Sequence, residues 1–537
     1  MAHLQNHPVR SFAPGAPERA SLSAELQRQR DEPRTIRPVV GGREIDAGHP
    51  VDMFEPHAHH RSLGLFQSAG TREAEQAIAA AMRARDDWSR MGLASRQTIF
   101  LRAAELLGGP FNDQLLAATM LQQSKTAYQA EIDASCELID FLRFNVAYAN
   151  ELQAFEPLSV DTERNRMELR PLDGFVFAAS PFNFTAIAGN LCVAPALMGN
   201  TIVWKPSERS IYSAAFLMDL FEAAGLPPGV INMLPSDAPA EIGAAVMQHP
   251  DLAGVHFTGS TSTFNRLWAT VGASIDSYRS YPRIVGETGG KNFVIAHASA
   301  NVEALITALV RGAFDYQGQK CSAASRAYIP ANLYKEVCER LAAAVEEISY
   351  GDITDFSHFM GAVIDERAFD TIASYLDYAN SASEHRKIAG EAPSRSNGYF
   401  IPPTVFECMD PRSSLMVEEI FGPVLAIHPY DENDLDGVVD LAMTTTPFAL
   451  TGAIFAQDQS IIDRLTAQLR DAAGNFYVND KPTGAVVGRQ PFGGSRKSGT
   501  NDKAGSPYNL LRWTSPRSVK ENLLPPTEPG YPHMTSS

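Results

Sequence analysis

One cysteine in this chain is placed for chemistry by its neighbours. In YQGQKCSAASRAYI, residues 316 to 329, Cys321 follows Gly318, Gln319 and Lys320 and precedes Ser322, Ala323 and Ala324. Side chains this small do not bury a thiol; they leave room for a ligand beside it. An adjacent cation such as Lys320, or a helix N-terminus, would lower the thiol pKa from its usual ~8.5 and enlarge the thiolate fraction. A thiolate attacks carbonyl carbon, and the oxyanion that forms needs hydrogen-bond donors. Cysteine is otherwise among the most buried residue types. Cys192, Cys338 and Cys408 lie in apolar or helical surroundings that fit that inert role.

Three further stretches suit a nucleotide. WKPSE (204–208) sets Lys205 and Glu208 just after an expected strand, where they could hydrogen-bond ribose hydroxyls. A carboxylate there would repel the extra phosphate of NADP and favour NAD. FTGST (257–261) ends a strand and opens a helix, whose free N–H groups favour a phosphate. EEIFGP (418–423) offers Glu419 for a second ribose and Phe421 for a nicotinamide ring. The glycine fingerprint G-x-G-x-x-G is absent, so any dinucleotide binds in another way. Taken singly, Lys205 and Glu208 read as a solvated pair and Phe421 as core.

The elements that must carry these residues show in the texture of the chain. GFVFAAS (174–180), TIVWK (201–205), VINMLP (230–235) and AGVHFTG (253–259) read as buried strands. SIYSAAFLMDLFEAAG, PAEIGAAVMQH and STFNRLWATVG read as the helices between them, which predicts a parallel sheet covered on both faces. A second α/β series opens near Arg283 with RIVGETGGKNFVIA and runs to about Val487. Ahead of both, Thr71 to Leu107 and ASCELIDFLRFNVAYANEL have helical periodicity. Residues 1–70 are rich in Pro, Gly and His and are expected to wrap the surface. The Gly-rich stretch from Gly484 to Pro507 reads as an ordered loop or an oligomer flap.

Bulk properties narrow the class. With 537 residues the chain needs two or three domains. A net charge of −17 argues against a nucleic-acid surface. No apolar run approaches a membrane span. Five cysteines without a C-x-x-C pair fit a reducing compartment and argue against a disulfide scaffold or a cysteine-based zinc site; no metal is expected.

SPFNF (180–184), WKPSE, FTGST, ETGGKN (287–292), GQKCS (318–322) and EEIFGP resemble, in order and spacing, the motifs of the aldehyde dehydrogenase superfamily. Within it, ASPFNFTAI, GETGGKNF, GQKCSAASR, NDKPTGAVVGRQPFGGSRKSGTNDKAG and LLRWTSPRSVKE most resemble the Δ1-pyrroline-5-carboxylate dehydrogenase branch. The likeness extends to about residue 8, leaving little room for a targeting peptide or a proline dehydrogenase domain.

The resemblance implies an α/β fold of three parts: a Rossmann-type NAD domain (1–149 and 172–285), a catalytic domain (286–482), and a β-flap with a C-terminal anchor (150–171 and 483–537). It implies Cys321 as nucleophile, Asn183 as oxyanion donor and Glu287 as the base for hydrolysis. Ser180, Lys205, Ser207, Glu208, the turn Gly259, Ser260, Thr261, Ser262 and Thr263, and Glu419 with Phe421 would hold NAD. Many relatives carry a glycine near the end of that turn, which this chain lacks. Ser322, Gly484 and Ala485 would take the substrate carboxylate, with Phe184 and Phe492 along its methylenes and Lys320 and Glu137 as helpers. Relatives often have Ser at the position of Ala485.

The implied substrate is L-glutamate γ-semialdehyde, oxidised to glutamate in proline catabolism. A general or succinate-semialdehyde dehydrogenase, or a catalytically silent member, is the alternative. The implied assembly is a homodimer or larger, with a separate proline dehydrogenase as possible partner. The implied location is the cytoplasm, or the mitochondrial matrix in a eukaryote.

Overall fold

The computed structural model describes residues 4–534. Two seven-stranded sheets organise the chain. The first has Arg283–Glu287 at one edge, followed in order by Leu252–Thr258, Phe175–Ala179, Thr201–Lys205 and Ile231–Met233, all parallel. Two short antiparallel strands, Val39–Val40 and Arg43–Glu44, close its far side. Side chains alternate across this sheet as a period of two requires. Phe175 and Phe177 pack under the Thr71–Arg90, Pro239–Met247 and Thr261–Ala273 helices, while Val176 and Ala178 face the helices Leu138–Gln153, Thr185–Leu197 and Ile211–Ala223.

The second sheet runs His385–Ala389, Thr404–Cys408, Val424–Tyr430, Ala324–Pro330, Asn292–Ala296, Thr451–Phe455 and Asn475–Val478; only the His385–Ala389 edge is antiparallel. Again the alternation is clean, Phe293 and Ile295 entering one core and Val294 and Ala296 the other. Strands buried on both faces read as continuous apolar runs, which is why the sequence disclosed them.

Two regions differ from expectation. Residues 1–70 do not merely wrap the surface. They contain a helix, Pro17–Asp31, anchored by buried Leu22 and Leu26, and a hairpin of Pro50–Glu55 with Ala58–Gln67. Two apolar anchors in fifteen residues are too few to stand out as periodicity, yet they suffice once a surface is there to receive them. The helix expected through ASCELIDFLRFNVAYANEL begins in a π-helical segment, Glu131–Glu137, before continuing as Leu138–Gln153. Such widened turns are frequent at functional sites.

Glu163–Arg170 pairs along its whole length with Ser515–Asn522 in a separate antiparallel ribbon. The stretch leading into it exposes Phe155, Leu158 and Val160, and Leu524 is exposed beyond it.

Candidate active site

The first sheet turns its C-terminal strand ends toward the N-terminal strand ends of the second. Glu287 ends one strand and Asn292 begins the next, so Thr288–Lys291 crosses between sheets. Cys321 lies just before the strand Ala324–Pro330. Two cavities of about 120 and 490 Å³ meet at its side chain. The larger lies in the size range of small-molecule sites.

Geometry around the sulfur follows from a strained turn. Tyr316, Gln317 and Gly318 take left-handed φ values of 52°, 56° and 66° in succession. A Cβ at Gly318 would stand 2.2 Å from the carbonyl oxygen of Gly422, so only glycine fits. Gln317 holds the turn with its amide: Nε2 donates to the carbonyls of Ser124 (3.1 Å) and Ala362 (2.6 Å), and Oε1 accepts from Gly361 N–H (3.2 Å). The Cys321 thiol donates to Glu287 Oε1 at 3.3 Å. Asn183 Nδ2 donates to the Gln319 carbonyl at 3.1 Å. A primary amide has two N–H donors, so that bond fixes the amide beside the nucleophile turn and leaves the second donor free.

Electrostatics around Cys321 depart from the sequence argument. Lys320 does not activate the thiol; its ammonium pairs with the partly buried carboxylate of Asp315. Burial, with Glu287 beside it, pushes the Cys321 thiol well above its ordinary value. Burial also lifts Glu287 to about 7 and Glu137, another carboxyl on the same cavity, to about 8.

The larger cavity lies across the strand ends of the first sheet. Ser180, Lys205, Ser207, Gly259, Ser260, Thr263, Glu419 and Phe421 line it, together with Asn183 and Cys321. Burial draws the Lys205 ammonium down to about 8. Ser260 caps the Thr261–Ala273 helix, its hydroxyl accepting Thr263 N–H at 3.3 Å. Glu419 Oε1 accepts Gly290 N–H at 2.8 Å. A Cβ on Gly289 would lie 2.0 Å from that carboxylate, so the glycine pair of ETGGK makes the space Glu419 occupies. Three expected residues lie off this wall. Glu208 pairs with Arg209 at 2.7 Å beside a neighbouring crevice, Thr261 faces another, and Ser262 bonds the Ser260 hydroxyl at 3.2 Å.

The smaller cavity brings together Phe184, Ser322, Gly484, Ala485 and Phe492, with Glu137 and Lys320. Ser322 Oγ and Thr483 Oγ1 are 2.7 Å apart. Thr483 and Lys503 were not singled out by sequence. Lys503 Nζ donates to the carbonyls of Gly474 (2.7 Å) and Gly493 (3.0 Å) and to Asn475 Oδ1 (3.3 Å). It thereby pins the Gly-rich loop over the cavity. Nothing local in GTNDKAG announces this, because its acceptors come from distant segments.

A thiol, a carboxyl and an amide donor thus meet between two clefts on paired parallel α/β sheets. The aldehyde dehydrogenase family model matches residues 44–519, and the chain belongs to that family. It is 44% identical over 533 residues to the mitochondrial delta-1-pyrroline-5-carboxylate dehydrogenase of Danio rerio, covering 99% of this chain and 96% of that protein. The delta-pyrroline-5-carboxylate dehydrogenase from Mycobacterium tuberculosis bound with NAD superposes with a TM-score of 0.96 at 51% identity, covering 99% of this chain and 98% of that one. Proline utilization A from Bdellovibrio bacteriovorus gives a TM-score of 0.92 at 31% identity; 98% of this chain matches 54% of that protein.

Proposed function

We propose that this chain catalyses the NAD-dependent oxidation of L-glutamate γ-semialdehyde, the open form of Δ1-pyrroline-5-carboxylate, to L-glutamate in proline catabolism. The observation that carries the reading is the Cys321 sulfur at the junction of two cavities, with Glu287 at 3.3 Å.

Cys321 Sγ attacks the aldehyde carbon as its proton passes to Glu287 Oε1, giving a thiohemiacetal. The free N–H of Asn183 and the backbone N–H of Cys321 receive the oxyanion. NAD, held in the larger cavity by residues such as Lys205, Ser207 and Glu419, would supply the acceptor for the hydride that leaves the thiohemiacetal carbon as the thioester forms. Glu287, having released that proton to solvent, then takes one from water, whose oxygen attacks the thioester carbonyl; the thiolate leaves and recovers the proton from Glu287, and glutamate is released.

Backbone N–H groups at the start of the Thr261–Ala273 helix suit a pyrophosphate, and Lys205, Ser207 and Glu419 suit ribose hydroxyls. The space that Gly289 leaves beside Glu419 supports this fit. On the substrate side, Ser322 with the backbone of Gly484 and Ala485 holds the carboxylate, and Phe184 and Phe492 flank the methylenes.

A unit of 1–149 with 172–285 binds the cofactor, 286–482 is catalytic, and 150–171 with 483–537 forms a flap and anchor. The exposed Phe155, Leu158 and Val160 beside the ribbon support a second copy of the chain as their partner. A separate proline dehydrogenase is the partner that would supply substrate. No helix among the described residues is long and apolar enough to cross a membrane; the location proposed is the cytoplasm, or the mitochondrial matrix in a eukaryote.

The test is a panel of glutamate semialdehyde, succinate semialdehyde and aliphatic aldehydes with NAD and NADP, on wild type and Cys321→Ala. NADH formation with the first substrate, abolished in the variant, is expected. Equal kcat/KM across the panel, or turnover by Cys321→Ala, refutes the reading.

A further inference from the structure

Behind the two cavities, and lining neither, sits an ion pair sealed from solvent. Lys125 and Asp133 are each 1% exposed, with Nζ 2.5 Å from Oδ2. Replacing such a pair by apolar residues is often neutral or stabilising, so stability alone does not account for it. Its contacts do. The ammonium lies 4.4 Å from the ring centroid of Phe184 and 4.5 Å from that of Tyr316. Phe184 follows Asn183 in sequence, and Tyr316 opens the left-handed run that ends just before Gln319 and Cys321. Asp133 in turn accepts Thr185 N–H at 3.0 Å and Ala186 N–H at 2.9 Å, the first donors of the Thr185–Leu197 helix. The π-helical segment Glu131–Glu137 presents Asp133 to them.

One cation therefore touches both halves of the reaction centre: the segment bearing the amide donor and the turn bearing the nucleophile. Attraction between a desolvated ammonium and two ring faces, combined with the tether through Asp133, fixes the separation of those segments. We propose that Lys125 is a positioning residue that sets the spacing between Asn183 and Cys321. The proposal rests on the roles assigned above to those two residues.

Full-length Lys125→Met and Lys125→Arg test it, with NAD affinity from calorimetry and kcat and KM with glutamate semialdehyde. A displacement of about 1 Å can cost on the order of 10²-fold in rate. The expected result is a fall in kcat of that order in Lys125→Met, with NAD affinity and KM within about threefold of wild type. Lys125→Arg should recover most of the loss, because a guanidinium keeps both the carboxylate and the ring contacts.

A kcat within about threefold of wild type in Lys125→Met overturns the proposal. So does a fall in NAD affinity that matches the fall in kcat, or an arginine variant no better than methionine. Should Lys125→Met not fold, Lys125→Met/Asp133→Asn removes both charges and is judged by the same criteria; failure of both to fold makes the pair a folding element and also overturns it. Alkylation of Cys321 by iodoacetamide, followed by peptide mass spectrometry, separates the two levels. Turnover by Cys321→Ala sinks the assignment of the nucleophile, whereas an unchanged alkylation rate in Lys125→Met sinks the positioning role alone.

Discussion

Glu287→Gln isolates the carboxyl proposed as the base that renews the thiol. Burial lifts this group from 4.5 to about 7, which favours its protonated form in the native protein by roughly 3 kcal/mol. The unfolded chain releases the proton near 4.5 and the folded chain near 7. Stability therefore falls as pH climbs between those values, and the penalty is complete above the upper one. Glutamine keeps the shape and removes the titration. The variant should be the more stable protein at about pH 8, by up to that amount, with the advantage shrinking toward about pH 5.

Catalysis moves the other way. The base is competent only as carboxylate, so wild-type kcat should rise with pH through about 7, and the variant should lose that limb. Stopped-flow mixing should show a burst of NADH, slowed because the thiol proton has lost its acceptor. Steady-state turnover should then fall by ~10²–10⁴-fold as the thioester waits for water. Turnover within about threefold of wild type, or a kcat–pH limb that survives the substitution, refutes the assignment of Glu287 as base.

Other substitutions read single contacts. Asn183→Ala removes the proposed oxyanion donor and should cost ~10²–10³-fold in kcat/KM, with NAD affinity by calorimetry nearly unchanged. Ala485→Ser adds a hydroxyl to the proposed carboxylate site, and should tighten substrate binding by about 0.5–1.5 kcal/mol, seen as a lower KM for glutamate semialdehyde.

The legible part of this protein is what local sequence determines. Strands such as Phe175–Ala179 and Asn292–Ala296 are buried on both faces and so appear as unbroken apolar runs. Asn183, Glu287, Cys321 and Glu419 stand near the ends of strands or in short Gly-rich turns, where few other constraints act on residue type. What escaped depends on tertiary contacts. Lys503 becomes the staple of the substrate loop only when Gly474 and Gly493 bring their carbonyls to it. Lys125 looks like a surface lysine until Asp133, Phe184 and Tyr316 enclose it. The hairpin and helix of residues 1–70 declare themselves by only a few buried anchors.

Lys320 shows how adjacency in sequence misleads about charge. GQKC sets an ammonium beside the thiol in sequence, but Asp315 takes it. Lys125 is likewise compensated by Asp133, while Glu287 and Glu419 both act to keep the thiol protonated. Cys321 thus rests as a thiol held by a carboxyl, with no activating cation beside it among the described residues. Alkylation of Cys321 by iodoacetamide in the cofactor-free enzyme should accordingly stay slow at neutral pH and climb only at alkaline pH. Removing both charges in Lys320→Met/Asp315→Asn should change the neutral-pH rate by less than about threefold. A thiol activated by Lys320 would instead label rapidly near neutrality and lose that reactivity in the double variant, and that pattern would reinstate the sequence argument against the geometry.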